Sequence, residues 1–71
     1  MVKGYVVGPE GEPVESALFV LDSVAYVANE KGEVEVPPGS YDVTIMHRNY
    51  KTQKGRIIIE RDFTLILEKE F

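Results

Sequence analysis

The side chain best suited to acid–base chemistry in this sequence is its single histidine, His47. An imidazole titrates near neutral pH, but a nucleophile–base system also needs an oriented hydroxyl and a carboxylate beside it. Ser16, Ser23 and Ser40 fall in or next to segments predicted as turns, where hydroxyls bond to the backbone. The sequence therefore predicts no catalytic residues and no enzyme, with His47 packed or exposed at the end of a strand.

Acidic residues are plentiful, but their spacing does not match a metal site. They cluster in the first loop and around a later turn, at Glu10, Glu12, Glu15, Glu30, Glu33 and Glu35. Calcium needs about six to eight converging oxygens, usually with Asp and Asn at alternate positions. Because the chain has one histidine and no cysteine, thiolate and histidine-rich metal sites are also excluded. We expect no metal and no cofactor, and interpret these carboxylates as solvated loop charge and protection of strand edges.

Tyrosine rings raise a second function, the binding of carbohydrate on an aromatic platform. Strand alternation places Phe19 and Tyr41 on the core side, which leaves Tyr5, Tyr26 and Tyr50 as candidate exposed rings. Since the three rings lie on separate elements, the sequence does not fix whether they share a plane. A carbohydrate-binding accessory module is therefore the alternative function that the sequence leaves open.

Composition limits the partners and the location of this chain. Its 71 residues predict a single domain over residues 1–71, and its 12 acidic and 8 basic residues give a formal charge of −4. That acidic balance disfavours nucleic-acid binding. No apolar run reaches the roughly 18 residues of a membrane span. The N-terminal residues do not match a secretory signal. We expect a cytoplasmic or virion location if the sequence is full length, and an extracellular one if it is excised from a longer chain. Because disulfides are excluded, association with a protein partner or with itself is the expected source of added stability.

Turn signals divide the chain into short segments that favour β structure. The predicted strands cover residues 2–7, 17–21, 24–28, 33–36, 41–47, 56–60 and 63–69, and the stretch "RNYKTQKG" is predicted as a long connection. Periodicity alone also allows a helix between Leu18 and Val27, but valine, phenylalanine and tyrosine there favour strands. Many short strands at this spacing predict an all-β, seven-stranded antiparallel β-sandwich or barrel.

The stretch "VPPGSYDVTI" places a stiff corner between two alternating segments. Pro37 and Pro38 fix φ and remove two backbone donors, so strand pairing stops there. Gly39 permits a positive φ, and alternation begins again at Tyr41. We expect this corner to end one strand and return the chain into the neighbouring strand in a fixed register.

This corner resembles the Pro-Pro-Gly-x-Tyr-x-Val-x-Val element of the carboxypeptidase regulatory-like domains. "GPEGEPVESALFV" is similar to that family's Asp-x-x-Gly-x-Pro-Leu-x-Gly-Ala-x-Val segment, and Gly32 matches the glycine of its Thr-Asp-x-x-Gly-x-Phe turn. The likeness also includes the first strand, the aromatic residue Tyr50 and the last apolar strand, and so covers nearly the whole chain. It implies a transthyretin-like (prealbumin-like), Ig-like Greek-key sandwich that serves as a non-catalytic accessory module.

The sequence departs from the family pattern at a few turn positions. Ser16 stands where a glycine is usual, Ala28-Asn29 replaces Thr-Asp, and Asn49 replaces the glycine before Tyr50. Asparagine tolerates the left-handed region better than other non-glycine residues, so we expect the turns to keep their geometry.

Apolar residues outnumber the positions that a thin sandwich core offers. If Phe19 and Leu21 face the core, then Leu18 and Val20 face outward, and Ile66 does the same on the last strand. Ile57, Ile58 and Ile59 cannot all share one face. A contiguous exposed apolar patch indicates an interface, for which we predict Leu18, Val20, Ile58, Ile66 and the terminal aromatic Phe71. The sequence thus predicts a structural, protein-binding module, as an accessory or decoration subunit of a virus particle, a filament or a homo-oligomer.

Overall fold

The computed structural model describes residues 1–70, which form strands joined by turns. The strands are β1 (Val2–Val7), β2 (Leu18–Leu21), β3 (Val24–Val27), β4 (Glu33–Val36), β5 (Gly39–His47), β6 (Tyr50–Ile59) and β7 (Phe63–Ile66). Over these residues there is no helix with the length and apolar character needed to cross a membrane.

The strands form two sheets that face each other. One sheet has the order β4-β1-β7 and the other the order β3-β2-β5-β6. Their facing sides contribute the buried core, so the prediction of an all-β sandwich is confirmed. The prediction that every pair is antiparallel is wrong, because β1 pairs with β7 in parallel while its other neighbour, β4, is antiparallel. The parallel pair forms because β7 enters this sheet from the opposite layer instead of by a hairpin.

The segment whose periodicity also allowed a helix forms the hairpin of β2 and β3. Phe19 and Leu21 are buried on the core side of β2, and Leu18 and Val20 lie half-buried on its outer side. This period of two matches a pleated strand and does not match a helix turn. Asp22 and Ser23 make the two-residue connection, in which the Asp22 carboxylate accepts a hydrogen bond from the backbone N–H of Asp42 at 3.0 Å.

The prediction of a long connection over residues 48–55 is wrong, because most of that stretch belongs to β6. The observed strand begins at Tyr50 and pairs with β5 through most of its length, with an irregularity opposite Ile45 and His47. Residues 51–56 are exposed on both faces, so they show no alternation of polar and apolar residues. A strand of this kind at a sheet edge cannot be distinguished from a loop by its hydrophobic pattern.

The proline corner passes the chain from one sheet to the other. β4 belongs to the three-stranded sheet and β5 to the four-stranded sheet, so the expected return into a neighbouring strand is wrong. The hydroxyl of Tyr41 is 3.0 Å from the carbonyl oxygens of both Pro37 and Pro38 and donates to them. The tyrosine therefore ties the start of β5 to the corner that precedes it.

A β-bulge of the type that usually carries glycine lies at Ser16. Its φ is +65°, its N–H donates to the carbonyl of Ala28 at 3.0 Å, and the N–H of Ala28 donates to the carbonyl of Ala17 at 3.0 Å. Two residues thus oppose one, with the first in the left-handed region. Asn49, the other departure singled out, does not have a positive φ. Asn29 keeps the role of an aspartate, because its side-chain oxygen accepts from the N–H groups of Lys31 and Glu33.

We expect the substitution Ser16→Gly to stabilise the domain by about 0.5–1 kcal/mol, because it relieves the left-handed strain by more than it adds backbone entropy. Urea unfolding followed by circular dichroism measures the change. Ser16→Val at the same exposed position is the control and should destabilise the domain. A lower midpoint for the glycine variant than for the native chain would contradict the assignment of the bulge.

Candidate protein interface

An apolar patch covers one end of the outer face of the four-stranded sheet. Residues that pair across strands share a face, and two such rows meet here: Leu18 lies between Val27 and Met46, and Val20 lies between Ala25 and Thr44. Val27 is 63% exposed and Met46 is 39% exposed. We call this surface the β3 patch, and its apolar members are Leu18, Val20, Ala25, Val27 and Met46.

The patch continues onto the free edge of β3. Among residues 1–70, β3 pairs with β2 alone. The N–H of Ala28 bonds back to β2, and backbone direction alternates along an antiparallel ladder, so the N–H and C=O groups of Ala25 and Val27 point toward the free edge. Val24, on the other face, is 53% exposed because the smaller sheet does not cover it. β3 therefore offers apolar side chains and unpaired backbone groups together.

Two of the other three sheet edges carry charges that β3 lacks, while the edge strand β7 reads Phe-Thr-Leu-Ile and is also uncharged. β6 contains Lys51, Lys54 and Arg56, and β4 contains Glu33 and Glu35, whereas β3 reads Val-Ala-Tyr-Val. Charged side chains on an edge strand oppose pairing with another chain, and an uncharged apolar edge permits it. Of these three edges, β3 is the one suited to pair with an uncharged apolar strand of another protein.

The structure divides the interface residues predicted from the sequence between the two layers. Leu18 and Val20 belong to the β3 patch. Ile58 is 71% exposed on the same outer face but lies on β6 opposite Ser40, away from the patch. Ile66 is 59% exposed beside Val7 on the outer face of the three-stranded sheet, on the other side of the molecule.

The prediction that these residues form one contiguous surface is therefore wrong. Outward residues are neighbours only when their strands lie close together in the same sheet. Phe71, also predicted for the interface, lies outside the described residues. The prediction did not include Ala25 and Val27. The sequence signal for them is an uncharged four-residue strand next to a tight turn.

The three tyrosines proposed as a carbohydrate platform do not meet. Tyr5 lies on the outer face of the three-stranded sheet, opposite Thr64. Tyr26 and Tyr50 are half-buried and pack against the core from different strands. The platform is therefore not formed, and nothing in this geometry favours sugar stacking.

Both ring nitrogens of His47 are engaged by the backbone. The N–H of Asn49 is 3.1 Å from Nδ1, and the carbonyl of Glu15 is 3.1 Å from Nε2. Because an amide N–H can only donate, Nδ1 accepts, and Nε2 carries the proton that it donates to Glu15. The ring thus joins the β5–β6 turn to the first long loop. It lines a groove of about 560 Å³ between residues 13–16 and 47–50 but has no free nitrogen to act as a base.

A polar cluster around Glu12 joins the first loop to β6 and the C-terminal segment. The carboxylate of Glu12 accepts from the N–H of Glu10 at 2.9 Å and from the hydroxyl of Tyr50 at 3.2 Å, with Lys69 Nζ at 4.0 Å. The pKa of Glu12 is lowered, mainly by a hydrogen bond from its own backbone N–H. The hydrogen bonds from Glu10 and Tyr50 and the charge of Lys69 lower it further, while partial desolvation opposes them. Desolvation and then the hydrogen bond to Glu12 raise the pKa of Tyr50.

These two pKa shifts limit stability at both ends of the pH range. Since the pKa of Glu12 is lowered on folding, its contribution is present above the unfolded value of about 4.3 and is lost as pH falls through the folded value. Since the pKa of Tyr50 is raised, its contribution is present below about 10 and is lost as pH rises above that. We expect Glu12→Gln to reduce the loss of stability between pH 7 and pH 3, as measured by urea unfolding at both pH values.

Glu15→Gln is the matched control, because it removes one exposed carboxylate from the same loop. If both variants change the pH dependence equally, net charge is responsible and the cluster is not.

Among residues 1–70, no group of three or more His, Cys, Asp or Glu side chains is placed to hold a metal.

In sequence, this chain is similar to part of a viral structural protein. No family model matches the chain. Over 58 residues it is 34% identical to Structural protein 27 of a virus (isolate Australia/Victoria), an alignment that covers 79% of this chain and 12% of that protein. The chain therefore spans about one eighth of the length of this curated relative.

A solved structure of the Caf1A usher C-terminal domain has a similar fold. It superimposes with a TM-score of 0.63 over 99% of this chain and 98% of its own, at 5% sequence identity. At that identity the similarity shows the fold alone. In that domain, conserved hydrophobic clusters on the surface are important for F1 antigen assembly.

Proposed function

We propose that this chain is a non-catalytic β-sandwich module that attaches to protein within a larger assembly, as an accessory or decoration subunit of a virus particle, a filament or a homo-oligomer. The observation that carries this proposal is the β3 patch, where exposed apolar side chains adjoin an unpaired strand edge. Such a surface attracts other strands, so its normal state is to be covered.

The contact combines two physical contributions. Burial of apolar area at Val27, Met46 and Leu18 supplies the driving force, at about 25 cal/mol per Å² removed from water. Hydrogen bonds to the outward backbone groups of Ala25 and Val27 fix the register of an added strand. The first contribution gives affinity, and the second selects a partner that is extended at the point of contact.

The similarity to part of a longer viral structural protein supports this role. Structural protein 27 is about eight times longer than the matched region, so a module of this size occupies one portion of it. A module inside such a protein contacts neighbouring protein, and an apolar patch on one sheet face suits that position. The surface hydrophobic clusters of the Caf1A usher C-terminal domain, which are important for assembly there, show that a similar fold can use this device.

We further propose that the fold is a variant of the carboxypeptidase regulatory-like, transthyretin-like Greek-key sandwich. Two features support the relation. Ser16 has the left-handed φ of +65° at the position where that family has glycine. Gly32 has a φ of +75° at the position of its turn glycine.

The test of the proposed function is the mass in solution as a function of concentration. We expect the native chain to associate beyond its monomer mass of 8.0 kDa in light scattering, and Val27→Lys to remain monomeric. The valine at position 27 is exposed, and a lysine there would also project into solvent, so the substitution should not unfold the domain.

Ile58→Lys is the matched control. It places the same charge on the same outer face at a similarly exposed aliphatic position outside the patch, and should associate like the native chain. If the native chain stays monomeric at every concentration, self-association through the β3 patch is excluded. If it associates and both lysine variants behave alike, the β3 patch is not the contact surface.

A further inference from the structure

Gly55 has no role that the described structure explains. It lies in the middle of β6, directly opposite Val43, where its side-chain position faces the core. Its φ is not in the left-handed region, and a Cβ built on it meets nothing within 4 Å. Glycine inside a strand weakens the strand and often marks a site of close approach by another chain or ligand. Neither backbone conformation nor packing therefore requires glycine at this position.

The missing side chain leaves a notch at the open side of the sandwich, between β6 and β7. The notch has a volume of about 230 Å³, and its floor is formed by Val43, Ile45, Ile57 and Leu65. A water molecule takes about 30 Å³, so the space is large enough for a side chain. Gln53, Lys54 and Arg56 also border it along β6.

The edge of β6 beside the notch is open. The N–H of Lys51 donates to the carbonyl of Glu68, and Tyr50 pairs with Lys69, so the C-terminal segment covers the first residues of the strand. Within residues 1–70, the part of β6 beyond Lys51 pairs on one side only, with β5. An added strand can therefore continue along β6 from the point where residues 68–69 end.

We propose that the notch receives one aliphatic side chain from an extended segment of a partner protein, which adds to the free edge of β6 and carries acidic residues on either side of that side chain. The residues next to Gly55 in the strand, Lys54 and Arg56, project to the opposite face. The residues next to the inserted side chain project the same way, and carboxylates there meet these two cations.

The charges of Lys54 and Arg56 beside the notch select this partner over a second copy of the chain. Lys54 has no acidic residue opposite it in the register, since it pairs with Thr44, while Arg56 forms an exposed ion pair with Asp42 at 3.1 Å. The acidic edge strand of another copy, β4, cannot insert because its apolar residues, Val34 and Val36, are buried in its own core. This contact is separate from the proposed β3 patch, because β3 and β6 are opposite edges of the same sheet.

The test is an NMR titration of the ¹⁵N,¹³C-labelled protein with a capped synthetic peptide, Thr-Thr-Glu-Leu-Glu-Thr-Thr. We expect saturable shifts of the Gly55 amide and the Val43 and Leu65 methyl groups at millimolar peptide. A peptide with alanine in place of leucine should bind at least about fivefold more weakly, because the buried apolar side chain is lost. A peptide with lysines in place of the glutamates should also bind more weakly.

Gly55→Val separates this contact from a structural role of the glycine. The valine fills the notch from within, so we expect a melting temperature about 4 °C higher than that of the native chain and at least tenfold weaker binding of the leucine peptide. Gly55→Ala should have a melting temperature and a peptide affinity between those of the native chain and Gly55→Val. The inference is overturned if Gly55→Val binds the peptide like the native chain, if it lowers the melting temperature, or if the peptide leaves Gly55 and Val43 unshifted. Val27→Lys should leave the titration unchanged, so failure of the β3 patch and failure of the notch are distinguishable.

Discussion

Phe19→Ala is expected to destabilise the domain by about 3–5 kcal/mol, the usual cost of truncating a buried phenylalanine. Phe19 is fully buried on β2, and its ring lies 6.0 Å from that of Phe63 on β7, in the opposite sheet. Phe63 in turn covers Gly4 of β1 so closely that a Cβ there would overlap the ring. The two aromatic rings thus connect the layers of the sandwich, and alanine leaves a cavity between them.

The effect is large relative to the stability that a domain of this size has. At roughly 0.05–0.15 kcal/mol per residue, 71 residues give about 4–11 kcal/mol. We therefore expect a melting temperature at least about 12 °C lower by calorimetry, and a largely unfolded chain if the native stability is near the lower end.

Ile58→Ala is the control for this truncation, because it shortens a large aliphatic side chain that is 71% exposed. A change within about 0.5 kcal/mol is expected for it. Comparable losses for Phe19→Ala and Ile58→Ala would mean that the core does not lie between the two sheets as described.

Local chemistry explains which features of this fold were predictable from the sequence. Nearby turn residues located β1 and β4 with the observed bounds, and the proline pair located the corner between β4 and β5. Each of these signals is contained within a few neighbouring residues. By contrast, the polar start of β6 carried no alternation, and the parallel pairing of β1 with β7 joins residues about sixty positions apart.

The sequence predicted which interface side chains point outward, but not which of them lie on one surface. Alternation correctly placed Leu18, Val20 and Ile66 on outer faces, since one face of each strand is committed to the core. Which outward residues share a surface depends on the order of strands in each sheet, which is a tertiary property. Val27 joins Leu18 through cross-strand pairing, while Ile66 belongs to the other layer.

The Glu12 cluster also lay beyond the reach of the sequence. Its carboxylate was predicted as solvated loop charge, but it binds Tyr50 from 38 positions away and lies next to Lys69. The close approach of this carboxylate to Gly8 leaves no room for a Cβ there. Spacing along the chain gives no indication of such a contact, because it forms only when the C-terminal segment pairs with the start of β6.

Gly32→Ala is expected to destabilise the domain by about 3 kcal/mol, which is the second large effect. Gly32 has a φ of +75°, and its carbonyl accepts from the N–H of Val6 at 2.8 Å. A Cβ at this position would lie 2.6 Å from the carbonyl oxygen of Val6 and 3.1 Å from the backbone nitrogen of Val14. The substitution therefore adds left-handed strain of about 1–2 kcal/mol to a steric overlap with backbone that cannot move aside.

Gly11→Ala isolates the overlap from the strain. Gly11 has a similar φ of +82°, but a Cβ there meets nothing within 4 Å, so its alanine variant bears the backbone strain alone. We expect urea unfolding to show a loss of about 1 kcal/mol for Gly11→Ala and at least twice that for Gly32→Ala. Equal losses would mean that the turn at Gly32 can shift away from β1, and that the contact between this turn and Val6 does not hold β4 against β1. A larger loss at Gly32 would instead identify that contact as the reason why the turn carries glycine.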